Sequence, residues 1–234
     1  SNYVVRQLKT HYALPDSRIR TVYNGVDIDP ATAEQRNLDR TSLRRAFGLV
    51  EDDCVVLMIA HNFPLKGVPR WMEATALLQQ RGVSNLRTLV LGRGESPRWH
   101  RLAARLGITD IHTFVGPTDR VREFQHAADV LVHPTYYDPC SRVVLEAMAA
   151  GLPCVTTRWD GAAEMIVDGV NGYVLDDPGD VRALADRVDR LRDPTHRRKL
   201  GEAAKSVTDQ VSMKRHSLEM IALYRELRKG ARAR

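Results

Sequence analysis

The stretch Asp138-Pro139-Cys140-Ser141-Arg142-Val143-Val144-Leu145-Glu146-Ala147-Met148-Ala149-Ala150-Gly151 decides how this chain is read. Ser141 is a good helix N-cap, because its hydroxyl can accept from an amide of the first turn. Gly151 and Pro153 end the helix: glycine tolerates the left-handed residue past the last turn, and proline cannot continue it. Val144, Leu145 and Met148 form a stripe that packs on a sheet. Glu146 lies off that stripe, little more than one turn inside. Helical side chains lean toward the N-terminus, so its carboxylate reaches back toward the start of the helix. Unpaired N–H groups and the positive end of the dipole make that start a seat for phosphate. An acceptor carboxylate just behind a phosphate seat suits the two hydroxyls of a ribose.

Outward from this helix, short apolar runs recur at 55–60, 88–91, 111–115, 130–133, 154–157 and 172–175. They are rich in Val, Ile and Leu without strict alternation, as in parallel strands covered on both faces. Helix-period segments lie between them at 68–80, 99–106, 121–127, 142–150 and 162–167, and further helices are expected at 178–192, 195–207 and 213–229. The alternation predicts an α/β fold, a Rossmann-like doubly wound parallel sheet. The beginning differs: a helix over 1–11, a short strand over 19–23 ending at Asn24-Gly25, and a polar region over 28–45. The division expected is a connector (1–25), a donor-binding domain (26–212), and a C-terminal helix with a basic tail (213–234).

Ligands of open α/β sheets bind beyond the carboxyl ends of the strands. The loops found there are His61-Asn62-Phe63-Pro64-Leu65-Lys66-Gly67, Gly92-Arg93-Gly94-Glu95, Gly116-Pro117 and His133-Pro134-Thr135-Tyr136-Tyr137-Asp138. Lys66 can add positive charge at a diphosphate, and Asp138 can bind hydroxyls on the far side of the phosphates. Each feature is ordinary singly. A glutamate in a second helical turn is usually a surface residue, Lys66-Gly67 is a common turn, and Pro97 stands where a dinucleotide fingerprint needs its third glycine. Together they describe a site for a nucleoside diphosphate carrying a polyol.

The combination resembles a known family. Asp138-x7-Glu146 with Ala147-Met148-Ala149-Ala150-Gly151-Leu152-Pro153 is similar to the E-x7-E motif and following segment of retaining GT-B glycosyltransferases, the "glycosyl transferases group 1" family. Lys66-Gly67, Asn24-Gly25-Val26-Asp27, Gly161-Ala162-Ala163-Glu164 and Asp168-Gly169-Val170-Asn171-Gly172 match further segments of that family, in family order, across 1–229. His61-Asn62-Phe63 and His133-Pro134 more weakly resemble its lipopolysaccharide-core glucosyltransferase branch.

The resemblance implies the C-terminal, donor-binding domain of a GT-B fold and transfer of a hexose from a nucleotide-diphosphate sugar with retention of configuration. It implies that Glu146 binds the donor ribose, that Asp138 contacts the sugar, and that Lys66 neutralises the diphosphate. The catalytic pair would be Asp138 and Lys66. The amides of Ser141, Arg142 and Val143 would hold a phosphate, and His61, Gly92 and Arg93 would complete the donor pocket. Three departures stand out: the first glutamate is Asp138, a usual glycine is Ser141, and a usual arginine five positions before the lysine is His61. Arg93, Arg142 or a protonated His61 can make up the lost charge. No metal and no other cofactor is expected, because protein charges serve the leaving group and no acidic metal-binding cluster appears. An N-terminal acceptor domain is expected to be missing, so the chain should bind donor weakly and not turn over alone.

Composition is that of an ordinary globular protein, with 43% hydrophobic and 27% charged residues and a formal net charge of +6. Three cysteines without CxxC spacing argue against a disulfide framework and suit a reducing cytoplasm. No signal-peptide pattern and no apolar run of about 20 residues is present. Neither zinc-finger spacing nor an aromatic RNA-binding motif appears, so nucleic acid is not an expected partner. The basic segments 195–207 and 225–234 could touch anionic lipid at the inner face of the cell membrane if the acceptor is lipid-linked. Two other classes compete: a non-catalytic nucleotide-sugar-binding module, and a nicotinamide-dependent Rossmann enzyme. The second needs a complete G-x-G-x-x-G after the first strand, where His61-Asn62-Phe63 stands instead.

Overall fold

Val55 and Leu57 of strand β1 (Cys54–Ile59) enter one core, Val56 and Met58 enter another, and all four are fully buried. Strand side chains alternate sides, so a strand apolar at every position is covered on both faces. The computed structural model describes residues 1–94 and 96–232. β1 lies inside a parallel sheet with β2 (Leu86–Leu91), β3 (His112–Gly116), β4 (Val130–His133), β5 (Cys154–Thr157) and β6 (Gly172–Leu175), in the order β3-β2-β1-β4-β5-β6.

The helices are α1 (Asn2–Tyr12), α2 (Ala33–Ala46), α3 (Val68–Gln80), α4 (Pro97–Leu106), α5 (Val121–Ala127), α6 (Arg142–Ala149), α7 (Val181–Leu191), α8 (Pro194–Ala204), α9 (Thr208–Val211) and α10 (Met213–Arg232). Trp71, Met72 and Leu78 of α3, Trp99 of α4 and Leu184 and Val188 of α7 cover one face. Leu43 of α2, Phe124 of α5, Val144, Leu145 and Met148 of α6, and Val211 of α9 cover the other. The expected doubly wound architecture is therefore the observed one. Cys54, Cys140 and Cys154 are unpaired and buried, and burial pushes the Cys54 thiol up to about 12.

Three local expectations are corrected. Residues 19–23 form no strand; only Val26 bridges, to Ser212. The segment expected to be a helix over 162–167 is a 3-10 turn, Gly161–Met165, capped by Asp160. It stays short because Ile166 turns inward to 9% exposure while Val167 turns out to solvent. The polar region 28–45 contains α2, whose inward stripe is not apolar. Arg36, Arg40 and Arg44 recur every four residues, one helical face. Arg36 Nη2 lies 3.1 Å from Asp29, and Arg40 and Arg44 lie 3.0 and 3.5 Å from the buried Asp129 at the foot of β4. Ion pairs from this arginine face, together with the buried Leu43, seat the helix.

Glu95, part of an expected donor-pocket loop, and the last two residues of the basic tail lie outside the described residues. Among the described residues no helix is long and apolar enough to cross a membrane, and no group of three or more His, Cys, Asp or Glu could hold a metal ion.

Candidate functional site

Chain order along the sheet reverses between β1 and β4, and such a reversal opens a crevice above the carboxyl ends of the two strands. The loops rising there are laced together. Gly67 has φ 72°, and a Cβ on it would lie 2.1 Å from the carbonyl oxygen of Pro134. Tyr136 N donates to Leu65 O at 2.9 Å, and the Thr135 hydroxyl donates to the same oxygen at 3.2 Å. This close approach brings Lys66 Nζ to 2.7 Å from Asp138 Oδ2 and 3.2 Å from Tyr137 O.

Asp138 has a third neighbour, His133 at the end of β4. Its Nε2 lies 3.3 Å from the same Oδ2, and the residue is only 2% exposed. Asp138 Oδ1 accepts from Cys140 N at 3.2 Å. Burial by itself would raise the Asp138 carboxyl. Hydrogen bonds from His133 and Lys66, with their charge, outweigh it and hold the group below the usual carboxylate range.

α6 begins four residues after Asp138. Ser141 Oγ caps it by accepting from Val144 N at 3.5 Å. The Ser141 amide was expected to face a phosphate, and here the structure differs. It donates to Asp160 Oδ1 at 3.0 Å, an oxygen that also accepts from Ala162 N at 2.8 Å. Asp160 Oδ2 is 2.9 Å from the Thr156 hydroxyl, and the side chain is buried. Burial raises its carboxyl. Of the three expected phosphate donors, the amides of Arg142 and Val143 have no protein acceptor among the described residues.

Glu146 projects from the second turn of α6 with its side chain 26% exposed. Among the described residues its ion-pair partner is the exposed Arg142, 3.6 Å away. Burial raises the Glu146 carboxyl; Arg142 and Arg122 act against this and Asp27 adds to it. Glu146 therefore answers to a different set of charges from Asp138 and Lys66, and along the chain the first turn of α6 separates Asp138 from Glu146. On the neighbouring strand ends, His61 Nδ1 accepts from Arg93 N at 3.3 Å. Gly92, at φ 114°, brings the β2 loop so close that a Cβ would lie 1.9 Å from Ala60 O. Arg93 and His61 are exposed. The connector also reaches this region: Glu164 accepts from the amides of Asn2 and Tyr3 and from the Tyr23 hydroxyl, and the Tyr3 ring packs 5.8 Å from that of Tyr137.

Lys66, Asp138 and His133 are thus brought together at the β1 and β4 ends, and His61 and Arg93 at the β1 and β2 ends, while no hydrogen bond or ion pair among the described residues joins Glu146 to either group. His133 and Asp160 were not singled out from the sequence as site residues. The only signal for either was the dipeptide His133-Pro134, read as a branch resemblance. Chemically, an ammonium, two free helix amides and two carboxylates can hold an anionic diphosphate between hydroxyl-bearing groups.

Comparison with known proteins identifies the family. A family model described as "Glycosyl transferases group 1" matches residues 39–207. "D-inositol 3-phosphate glycosyltransferase 2" of Catenulispora acidiphila is 35% identical over 199 residues, which cover 78% of this chain and 46% of that protein. The lipopolysaccharide glucosyltransferase WaaG of Escherichia coli is 33% identical over 175 residues, covering 74% and 46%. A crystal structure of WaaG superposes with a TM-score of 0.80 at 28% identity, over 92% of this chain and 60% of that one. The structure of Anabaena Alr3699/HepE in complex with UDP-glucose has the same fold, with a TM-score of 0.79 at 22% identity, over 88% and 57%. The chain spans about half the length of the curated relatives it matches.

Proposed function

This chain belongs to the glycosyl transferases group 1 family, and on that footing we propose that it forms the donor-binding half of a retaining hexosyltransferase that uses a nucleotide-diphosphate sugar. What supports this reading is the Lys66–Asp138 pair, followed in the chain by the first turn of α6, whose Arg142 and Val143 amides have no protein acceptor among the described residues, and by the half-buried Glu146. The diphosphate sits on those amides and on Lys66. The ribose hydroxyls donate to Glu146, and Asp138 faces the sugar. A UDP-sugar is the donor to test first.

Breaking the anomeric C–O bond leaves positive charge on the sugar and growing negative charge on the diphosphate. Preorganised donors aimed at that charge lower the barrier, and Lys66 with the two amides supplies them without a metal. Residues 1–25 act as the connector, 26–212 as the donor domain, and 213–234 as the terminal helix and tail. The acceptor is bound by a further domain, so these residues alone do not turn over. The enzyme works in the cytoplasm, and a lipid-linked acceptor would bring it to the inner face of the membrane.

A thermal-shift screen with UDP-, GDP-, ADP- and TDP-sugars tests the reading, since stabilisation scales with ligand concentration over Kd. One nucleotide should stand out, and Glu146→Ala should abolish its effect. Stabilisation that persists in Glu146→Ala refutes the ribose assignment. Sustained turnover of a radiolabelled donor by these 234 residues refutes the claim that they are inactive alone.

A further inference from the structure

One oxygen of the Asp138 carboxylate serves two donors. Lys66 Nζ is 2.7 Å and His133 Nε2 is 3.3 Å from Asp138 Oδ2. A carboxylate only accepts, so the His133 ring nitrogen is the donor, and the neutral ring with its proton on Nε2 already satisfies the contact. The Lys66 ammonium provides the compensating charge. Lys66 is also the group that a diphosphate would attract, and its side chain is 19% exposed.

We propose that His133 is a positioning residue that takes up a proton when a diphosphate draws Lys66 away from Asp138, so that donor binding is coupled to proton uptake. The inference rests on the donor-site reading above. The change is simple: Lys66 keeps its proton and moves to the phosphate oxygens, Asp138 stays ionised, and one proton passes from solvent to His133 Nδ1. The resulting imidazolium replaces the ammonium beside Asp138.

Charge around the ring favours this exchange. Asp138 faces it from the β4–α6 loop. Asp160 faces it from the β5 loop, near enough that His133 and Asp138 both act on its carboxyl. Lys66, from the β1 loop, is the cation set against them. Removing Lys66 leaves a buried ring beside the ionised Asp138; Asp160, whose carboxyl burial raises, adds less. An opposite charge within a few ångströms moves a titration by about 1–3 pH units. Backbone contacts hold the ring in place: the His133 carbonyl accepts from the Thr156 hydroxyl at 3.0 Å and from Thr135 N at 2.7 Å.

Two measurements test the proposal. The first is calorimetric titration of the chain with UDP-glucose at pH 7.5 in buffers of different ionisation enthalpy; this probe has no phosphate that titrates near neutrality. The expected result is net uptake of a fraction of one proton per bound nucleotide. His133→Gln keeps a donor for Asp138 but cannot gain charge, so it should bind with no buffer dependence. No proton uptake by the wild type, or unchanged uptake in His133→Gln, overturns the proposal. The second needs no ligand and so separates this idea from the donor-site reading. In Lys66→Met, the His133 ring, assigned by NMR through His133→Gln, should titrate about 1 pH unit higher than in the wild type. Identical titrations overturn the coupling even if nucleotide binds. If UDP-glucose does not bind while the Lys66→Met shift occurs, the coupling stands and the choice of donor is what fails.

Discussion

Glutamine at position 146 keeps the side chain's shape and removes its charge. In the nucleotide complex, two ribose hydroxyls would then donate to a neutral amide oxygen instead of a carboxylate. Hydrogen bonds to charged groups contribute about 1.5–3 kcal/mol and neutral ones about 1. The loss over two hydroxyls is therefore about 1–4 kcal/mol, or roughly 5- to several-hundred-fold in affinity. Wild type at a ligand concentration 100 times Kd gains about 2.7 kcal/mol, which for a chain of this length raises Tm by about 5–10 °C. At the same concentration Glu146→Gln should gain about two thirds of that shift or less.

The free protein should respond in the opposite sense. Burial raises the Glu146 carboxyl in the fold, so the folded state disfavours the charge. That cost is absent below the unfolded pKa of about 4.3 and complete once pH exceeds the raised folded value. The exposed Arg142 pair, at 3.6 Å, offsets little of it. Unliganded Glu146→Gln should thus be as stable as wild type at pH 4 and equal or more stable at pH 7, measured by urea unfolding. A Tm several degrees lower without ligand would make Glu146 a structural residue. An undiminished nucleotide shift would remove it from the ribose site. Either result refutes the reasoning.

Gly67→Ala forces a Cβ to 2.1 Å from Pro134 O at φ 72°, so it should cost more than about 2 kcal/mol in urea unfolding and abolish nucleotide binding. The control Gly82→Ala, at φ 86° with nothing within 4 Å, should cost about 1 kcal/mol. Asp160→Ala leaves the Ser141 and Ala162 amides without their acceptor and should cost about 2–5 kcal/mol. Asp160→Asn should cost less than half of that, because burial already favours an uncharged group there; equal losses would refute the assignment. The Asp138 carboxyl is depressed in the fold, so its contribution is present above about pH 3.9 and is lost as pH falls through the lower folded value. The difference in urea midpoint between wild type and Asp138→Asn should shrink from pH 6 to pH 2.

Local patterns in the sequence determined the strands and the core of the site. β4, β5 and β6 stand where their apolar runs end, because burial on both faces demands apolar residues at consecutive positions. α6 begins at its serine cap and packs by its predicted stripe, since cap and stripe both lie within the helix's own residues. α2 was not legible because its inward face is Arg36, Arg40 and Arg44; hydrophobic periodicity says nothing about a helix seated by Asp29 and Asp129, which come from elsewhere in the chain. The same limit applies to chemistry. Lys66, Asp138 and Glu146 each appeared at strand ends or near a helix start. That His133 shares an oxygen of Asp138 with Lys66, and that Asp160 takes the Ser141 amide, was decided by the placement of β4 between β1 and β5. Strand neighbours are set by how the whole chain crosses over the sheet, and no short stretch of residues carries that information.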